Sequence, residues 1–237
     1  MKKTLFLLFF ITVLFSFSQN EINRELGDFH KIQTYDLLKV NLIKSDKNFV
    51  IISGQHPNYV VIKNKNGELK IRMGIEKRLS GSETKVDLYY KSIYRIEAKE
   101  GSFVFSKDTI VEPSLFLKSE SGSTVSLKLK TSDLNARSIT GGKISLSGSA
   151  NHNEIDAYTG GQVNAEKLNT QTTKVFIKAG GVVDVYATTL LELDLKAGGE
   201  VNVHHKTNKI IEKITLGGIV NYPVSYTHLT LPTNREV

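Results

Sequence analysis

Glycine recurs along this chain with a nearly constant step, and that regularity limits the folds open to it. The residues are Gly101, Gly122, Gly141, Gly160, Gly180, Gly198 and Gly217, with steps of 21, 19, 19, 20, 18 and 19 positions. The next column reads Ser102, Ser123, Gly142, Gly161, Gly181, Gly199 and Gly218. Together these columns hold 12 of the 18 glycines in the 237-residue sequence, so the step marks an internal repeat. A helical repeat is excluded, because a glycine pair every ~19 residues breaks helices before packing offsets their ordering cost.

Flanking residues give the type of repeat. Two positions after each pair stands Val104, Val125, Ile144, Val163, Val183, Val201 or Val220, and the next residue is Phe105, Ser126, Ser145, Asn164, Asp184, Asn202 or Asn221. That alternation, rich in β-branched residues, is a strand with one buried face and one polar face. A second strand enters each pair, with Ile96, Leu117, Ala136, Ile155, Val175, Leu193 and Glu212 in one column. The expected fold is all-β: a right-handed parallel β-helix, a solenoid of about 19-residue coils whose glycines turn the corners. A β-sandwich with coincident glycine spacing is the alternative. In this register Arg137 neighbours Asp156, and Asp194 neighbours Lys213, as exposed cross-coil ion pairs.

Residues 19–95 are strand-rich without the period, and Asn66-Gly67 reads as a hairpin turn between two alternating runs. They form the β-rich N-terminal part and cap of one domain, which residues 96–223 continue as coils. Three stretches carry a family resemblance: Phe29-His30-Lys31-Ile32, Val40-Asn41-Leu42-Ile43 and Asn66-Gly67-Glu68-Leu69-Lys70-Ile71. With the recurring glycine steps, residues 28–222 resemble the head GIN domain of putative auto-transporter adhesins, common among Bacteroidetes. The resemblance implies a β-helical, secreted or envelope-located protein, and it brings no catalytic residues with it.

Both ends depart from this pattern. Lys2 and Lys3 precede an apolar run from Leu5 to Phe17, and Ser16-Phe17-Ser18 has the small-x-small form of a cleavage site, so residues 1–18 read as a signal peptide. A membrane-anchoring helix is the competing reading, although the run is shorter than the ~20 residues a span needs. From Val224 the repeat stops, and the first codons can be back-translated into the transposase recognition end of library adapters. Residues 224–237 therefore read as an adapter-derived artefact, against the alternative of a native polar tail. Export leads to the periplasm, the outer surface or the medium. The sequence has no Cys, which excludes disulfide staples and a lipid-modified N-terminal cysteine.

The formal charge is +7, with lysines spread between acids, which argues against a nucleic-acid groove and leaves weak attraction to acidic glycans or lipid headgroups. Among the acids, Asp156, Asp184, Asp194 and Glu200 do not converge in one column, and coils this short leave no room for the long loops that build clefts in β-helix enzymes. His204 and His205, adjacent on one strand, would point to opposite faces, and His152 falls in another column, so no metal or cofactor is expected. The column Asn164, Asp184, Asn202 and Asn221 is the candidate ligand-binding track, and without a ligand it is a solvated strand face. Two functions of different classes follow. One is a non-catalytic envelope or surface module that binds a glycan or a surface protein, without stable membrane insertion once the signal is cleaved; the other is a carbohydrate-active β-helix lyase or hydrolase.

Overall fold

A computed structural model describes residues 21–223, so the signal peptide expected at 1–18 and the adapter-like tail expected at 224–237 lie outside the described residues. The two apolar columns stack in register, one on the face that enters each glycine corner, the first face, and one on the face that leaves it, the second face. Ile96, Leu117, Ala136, Ile155, Val175, Leu193 and Glu212 are successive parallel partners. So are Val104, Val125, Ile144, Val163, Val183, Val201 and Val220. The result is a parallel β-solenoid whose seven successive coils begin at Arg95, Ser114, Asp133, His152, Thr172, Leu190 and Lys209. Its interior is buried through the central coils: Ile96, Leu117, Ile155, Val125 and Val183 are all 0% exposed.

The corners at Gly141-Gly142 and Gly160-Gly161 divide the labour of their two glycines. The first, together with the residue before it, is left-handed: Thr140 has φ 51° and Gly141 70°, Thr159 48° and Gly160 74°. Two consecutive positive φ values make a tight turn closed by a bond from Gly142 N to Ile139 O at 3.0 Å. A side chain on the second glycine would strike the coil below, since a Cβ on Gly142 would lie 2.2 Å from the carbonyl oxygen of Ser119. In two coils serine takes this place and its hydroxyl donates downward, Ser123 Oγ to Ala98 O at 2.6 Å and Ser102 Oγ to Thr34 O at 3.1 Å.

The coil has a third paired face that the repeat does not announce. Thr124–Ile139, Lys143–Tyr158 and Gly161–Lys178 are single long strands that bend around it, pairing Lys128 with Ser147 and Ser147 with Lys167. Step-length variation is absorbed away from the glycine corner, at the two ends of the third face; Thr170 pairs with Ala187 but Thr172 with Leu190. Ser126 pairs with Phe105 but Lys128 with Thr109, which places two extra residues in the coil of step 21. Ser145 pairs with Asn164 but Ser147 with Lys167, which places one extra residue in the coil of step 20. The glycine corner itself stays fixed.

Below Arg95, chain order and stacking order differ. Lys31–Thr34 pairs in parallel with both Glu68–Met73 and Arg95–Ala98, so an early segment sits between two later ones. Lys39–Lys44 does the same between Thr84–Tyr90 and the start of Phe103–Val111. This rung turns its corner without glycine, on Asp36 (φ 57°) and Leu37 (φ 62°). The buried Asp36 carboxylate holds the turn, accepting from Met73 N at 3.1 Å and from Arg78 Nε at 2.9 Å. Antiparallel strands then close the end: Val60–Lys65 on Glu68–Met73, Phe49–Gly54 on Thr84–Tyr90, and Ile22–Glu25 on Phe49–Gly54. Asn66 (φ 53°) and Gly67 (φ 74°) form the expected hairpin turn.

Candidate functional site

The second face carries the polar column read from the sequence. Asn164 pairs with Asp184, Asp184 with Asn202, and Asn202 with Asn221, on successive rungs. One polar atom of each side chain is bonded to a neighbour, which leaves the other to face outward. Asn221 Nδ2 donates to Asn202 Oδ1 at 2.8 Å and to Glu200 Oε1 at 2.9 Å. His204 Nε2 lies 3.0 Å from Asp184 Oδ1, and Glu166 N donates to Asn164 Oδ1 at 3.4 Å. The column continues downward through Ser145, Ser126, Phe105, Asn41 and Asp87, and Phe105 stacks on Phe103 with ring centroids 5.1 Å apart. His204 and His205 follow the strand Glu200–Val203 and do not lie in it, and His205 stacks on Tyr186 at 4.4 Å.

The first face is more charged than the sequence indicated. Arg137 pairs with Asp156 as expected, with Nε at 2.9 Å and Nη2 at 2.6 Å from the same oxygen. The expectation of an exposed pair is corrected, because Asp156 is only 5% exposed and its carboxylate depends on the guanidinium. That bond, opposed by partial burial, holds the Arg137 pKa above its ordinary value. Asp194 and Lys213 are register partners, yet among the described residues no ion pair joins them. One Asp194 oxygen is buried without a partner, while Lys213 lies on the exposed last coil.

Two hollows on this face were not foreseen. One, of about 530 Å³, crosses four coils and is lined among others by Phe116, Asp133, Asn135, His152, Glu154 and Lys174. His152 Nδ1 lies 2.8 Å from Thr172 Oγ1, and Asn135 Oδ1 is buried without a partner. Phe116 is covered by Arg95, whose guanidinium carbon is 4.1 Å from the ring centroid. The other, of about 420 Å³, is lined by Lys31, Lys63, Lys65, Asn66, Glu68 and Lys70. The reading of lysines as spread between acids is corrected here, because the Asn66-Gly67 hairpin sets Lys63, Lys65 and Lys70 side by side and strand pairing adds Lys31. Among the described residues, no three metal-ligating side chains come together and no helix is long and apolar enough to cross a membrane.

Residues 28–206 match the family model described as "Putative auto-transporter adhesin, head GIN domain". The chain belongs to the head GIN family. Its solenoid is similar to a "putative adhesin" from Bacteroides fragilis, with TM-score 0.74 at 16% identity, covering 88% of this chain and 98% of that one. A "putative adhesin" from Parabacteroides merdae gives TM-score 0.64 at 15% identity, covering 88% and 98%. A "Putative lipid binding protein" from Parabacteroides distasonis gives 0.62 at 15% identity, covering 86% and 94%. No curated protein matches the sequence. At these identities the solved structures establish the fold of the head GIN domain alone.

Proposed function

We propose that this head GIN domain is an exported, non-catalytic module of the cell envelope or surface that binds a glycan or a protein partner and serves in adhesion. The observation that carries the reading is the track of Asn164, Asp184, Asn202 and Asn221, four outward side chains one rung apart on a stiff sheet. Rungs stack at about 4.8 Å, so the track offers evenly spaced hydrogen-bonding groups to an extended ligand lying along the solenoid axis. Catalysis is disfavoured by the use already made of the acids: Asp156 is held by Arg137, Asp184 by His204 and Glu200 by Asn221. The family description names adhesion and no reaction.

A glycan-array screen run beside a turnover assay on the same polysaccharides tests this. Binding without cleavage is expected, and Asn202→Ala with Asn221→Ala should weaken it about tenfold, the worth of one or two neutral hydrogen bonds. Cleavage of a bound polysaccharide would overturn the reading in favour of a lyase or hydrolase.

A further inference from the structure

We propose that the lysine-lined hollow at the N-terminal end of the first face binds acidic polysaccharide through its carboxylate or sulfate groups. This rests on the binding-module reading and names a ligand class and a place for it. The hollow gathers Lys31, Lys63, Lys65 and Lys70 around a single acid, Glu68. Lys63 and Lys70 are direct cross-strand partners, an arrangement in which like charges repel. Glu68 answers Lys70 at 3.2 Å, and among the described residues Lys31, Lys63 and Lys65 form no ion pair. The surplus positive potential is therefore uncompensated within the fold, and an anion seated there removes the repulsion.

The surroundings favour a polymer over a headgroup. One outward column runs from Lys65 through Glu68, Lys31 and Arg95 to Phe116, then along the larger hollow through Asn135, Glu154 and Lys174. Arg95 covers one side of the Phe116 ring and is itself paired with Glu97, so the column offers the rest of that aromatic side chain in line with the lysines. A linear acidic polysaccharide can place its charges in the lysine hollow and lay a sugar ring near Phe116. Every residue lining the lysine hollow is polar, so nothing there would enter a bilayer.

The full chain is titrated with polygalacturonate, dextran sulfate, neutral dextran and phosphatidylglycerol vesicles. Lys63→Ser with Lys65→Ser is compared with Lys128→Ser and Lys130→Ser on the third face; all four lysines are exposed, and each pair removes the same charge. Both polyanions should bind, and neutral dextran should not. The Lys63/Lys65 variant should bind polyanion about tenfold more weakly, the control less than about twofold, with the difference shrinking at about 0.3 M salt. Phe116→Ala should weaken long polygalacturonate and leave its trimer unchanged. Equal losses in the two lysine variants overturn the site in favour of net charge alone, and vesicle binding that needs Lys63 and Lys65 without polysaccharide binding overturns the ligand class in favour of lipid. If neither polyanion binds while the glycan array still reports a ligand, this proposal fails and the binding-module reading stands.

Discussion

Val183 stands fully buried between Val163 and Val201 in the interior column, so a charge there has neither water nor a partner. Val183→Asp should destabilise by several kcal/mol, read by urea unfolding, and an unchanged midpoint would contradict the buried column. Arg137 makes a subtler case, because removing it strands the carboxylate of Asp156 at 5% exposure. Arg137→Ala should cost about 2 kcal/mol, and adding Asp156→Asn should recover part of it, since the group left behind no longer carries charge. Glu120 links stability to pH. Burial alone would raise its pKa, but Lys118 and Lys99 outweigh that and hold it below its ordinary value. A lowered folded-state pKa gives stability that is full above the unfolded value and is lost as pH falls through the folded one. Glu120→Gln should therefore lower stability at neutral pH and change little near about pH 2, a flattening of the acid limb that thermal melts would show.

Corners and faces are where sequence and structure part company. The glycine columns disclosed the first two faces because each coil repeats the same backbone demand, and register followed from counting. Gly142→Ala tests the division of labour at the corner. Its Cβ would meet the Ser119 carbonyl at 2.2 Å, whereas one on Gly141 would meet nothing within 4 Å. Gly141→Ala should cost about 1 kcal/mol of left-handed strain, and Gly142→Ala clearly more, as differences in urea midpoint. The corner at Asp36-Leu37 escaped the reading because it has no glycine, its left-handed pair being held by hydrogen bonds from Met73 and Arg78 that arise only on folding. The third face escaped for a different reason: register shifts at Ser126/Lys128, Ser145/Ser147 and Thr170/Thr172 break the constant spacing of its columns. The candidate track could be counted out at Asn164, Asp184, Asn202 and Asn221. Of the lysine hollow, Lys63, Lys65 and Lys70 lie on the hairpin that was legible, but Lys31 joins them only through strands that stack out of chain order.

The molecule as a whole is stabilised coil against coil, and its two ends are finished differently. At the N-terminal end antiparallel strands cover the stack. On the last described coil, Ile211, Ile214 and Ile219 are 45%, 44% and 59% exposed, though Ile214 and Val220 continue the interior columns above Leu195 and Val201. Amide hydrogen exchange should accordingly be slowest in Lys143–Tyr158 and Gly161–Lys178 and fastest in Lys209–Ile214, and uniform protection would argue against such a gradient. The out-of-order stacking bears on how the chain reaches this state. From Arg95 onward each new coil finds its template already made, so growth can proceed like winding thread on a spool. Gln33, by contrast, awaits Lys70 on one side and Glu97 on the other, so whatever emerges first from a ribosome must stay unwound until a distant stretch has followed it.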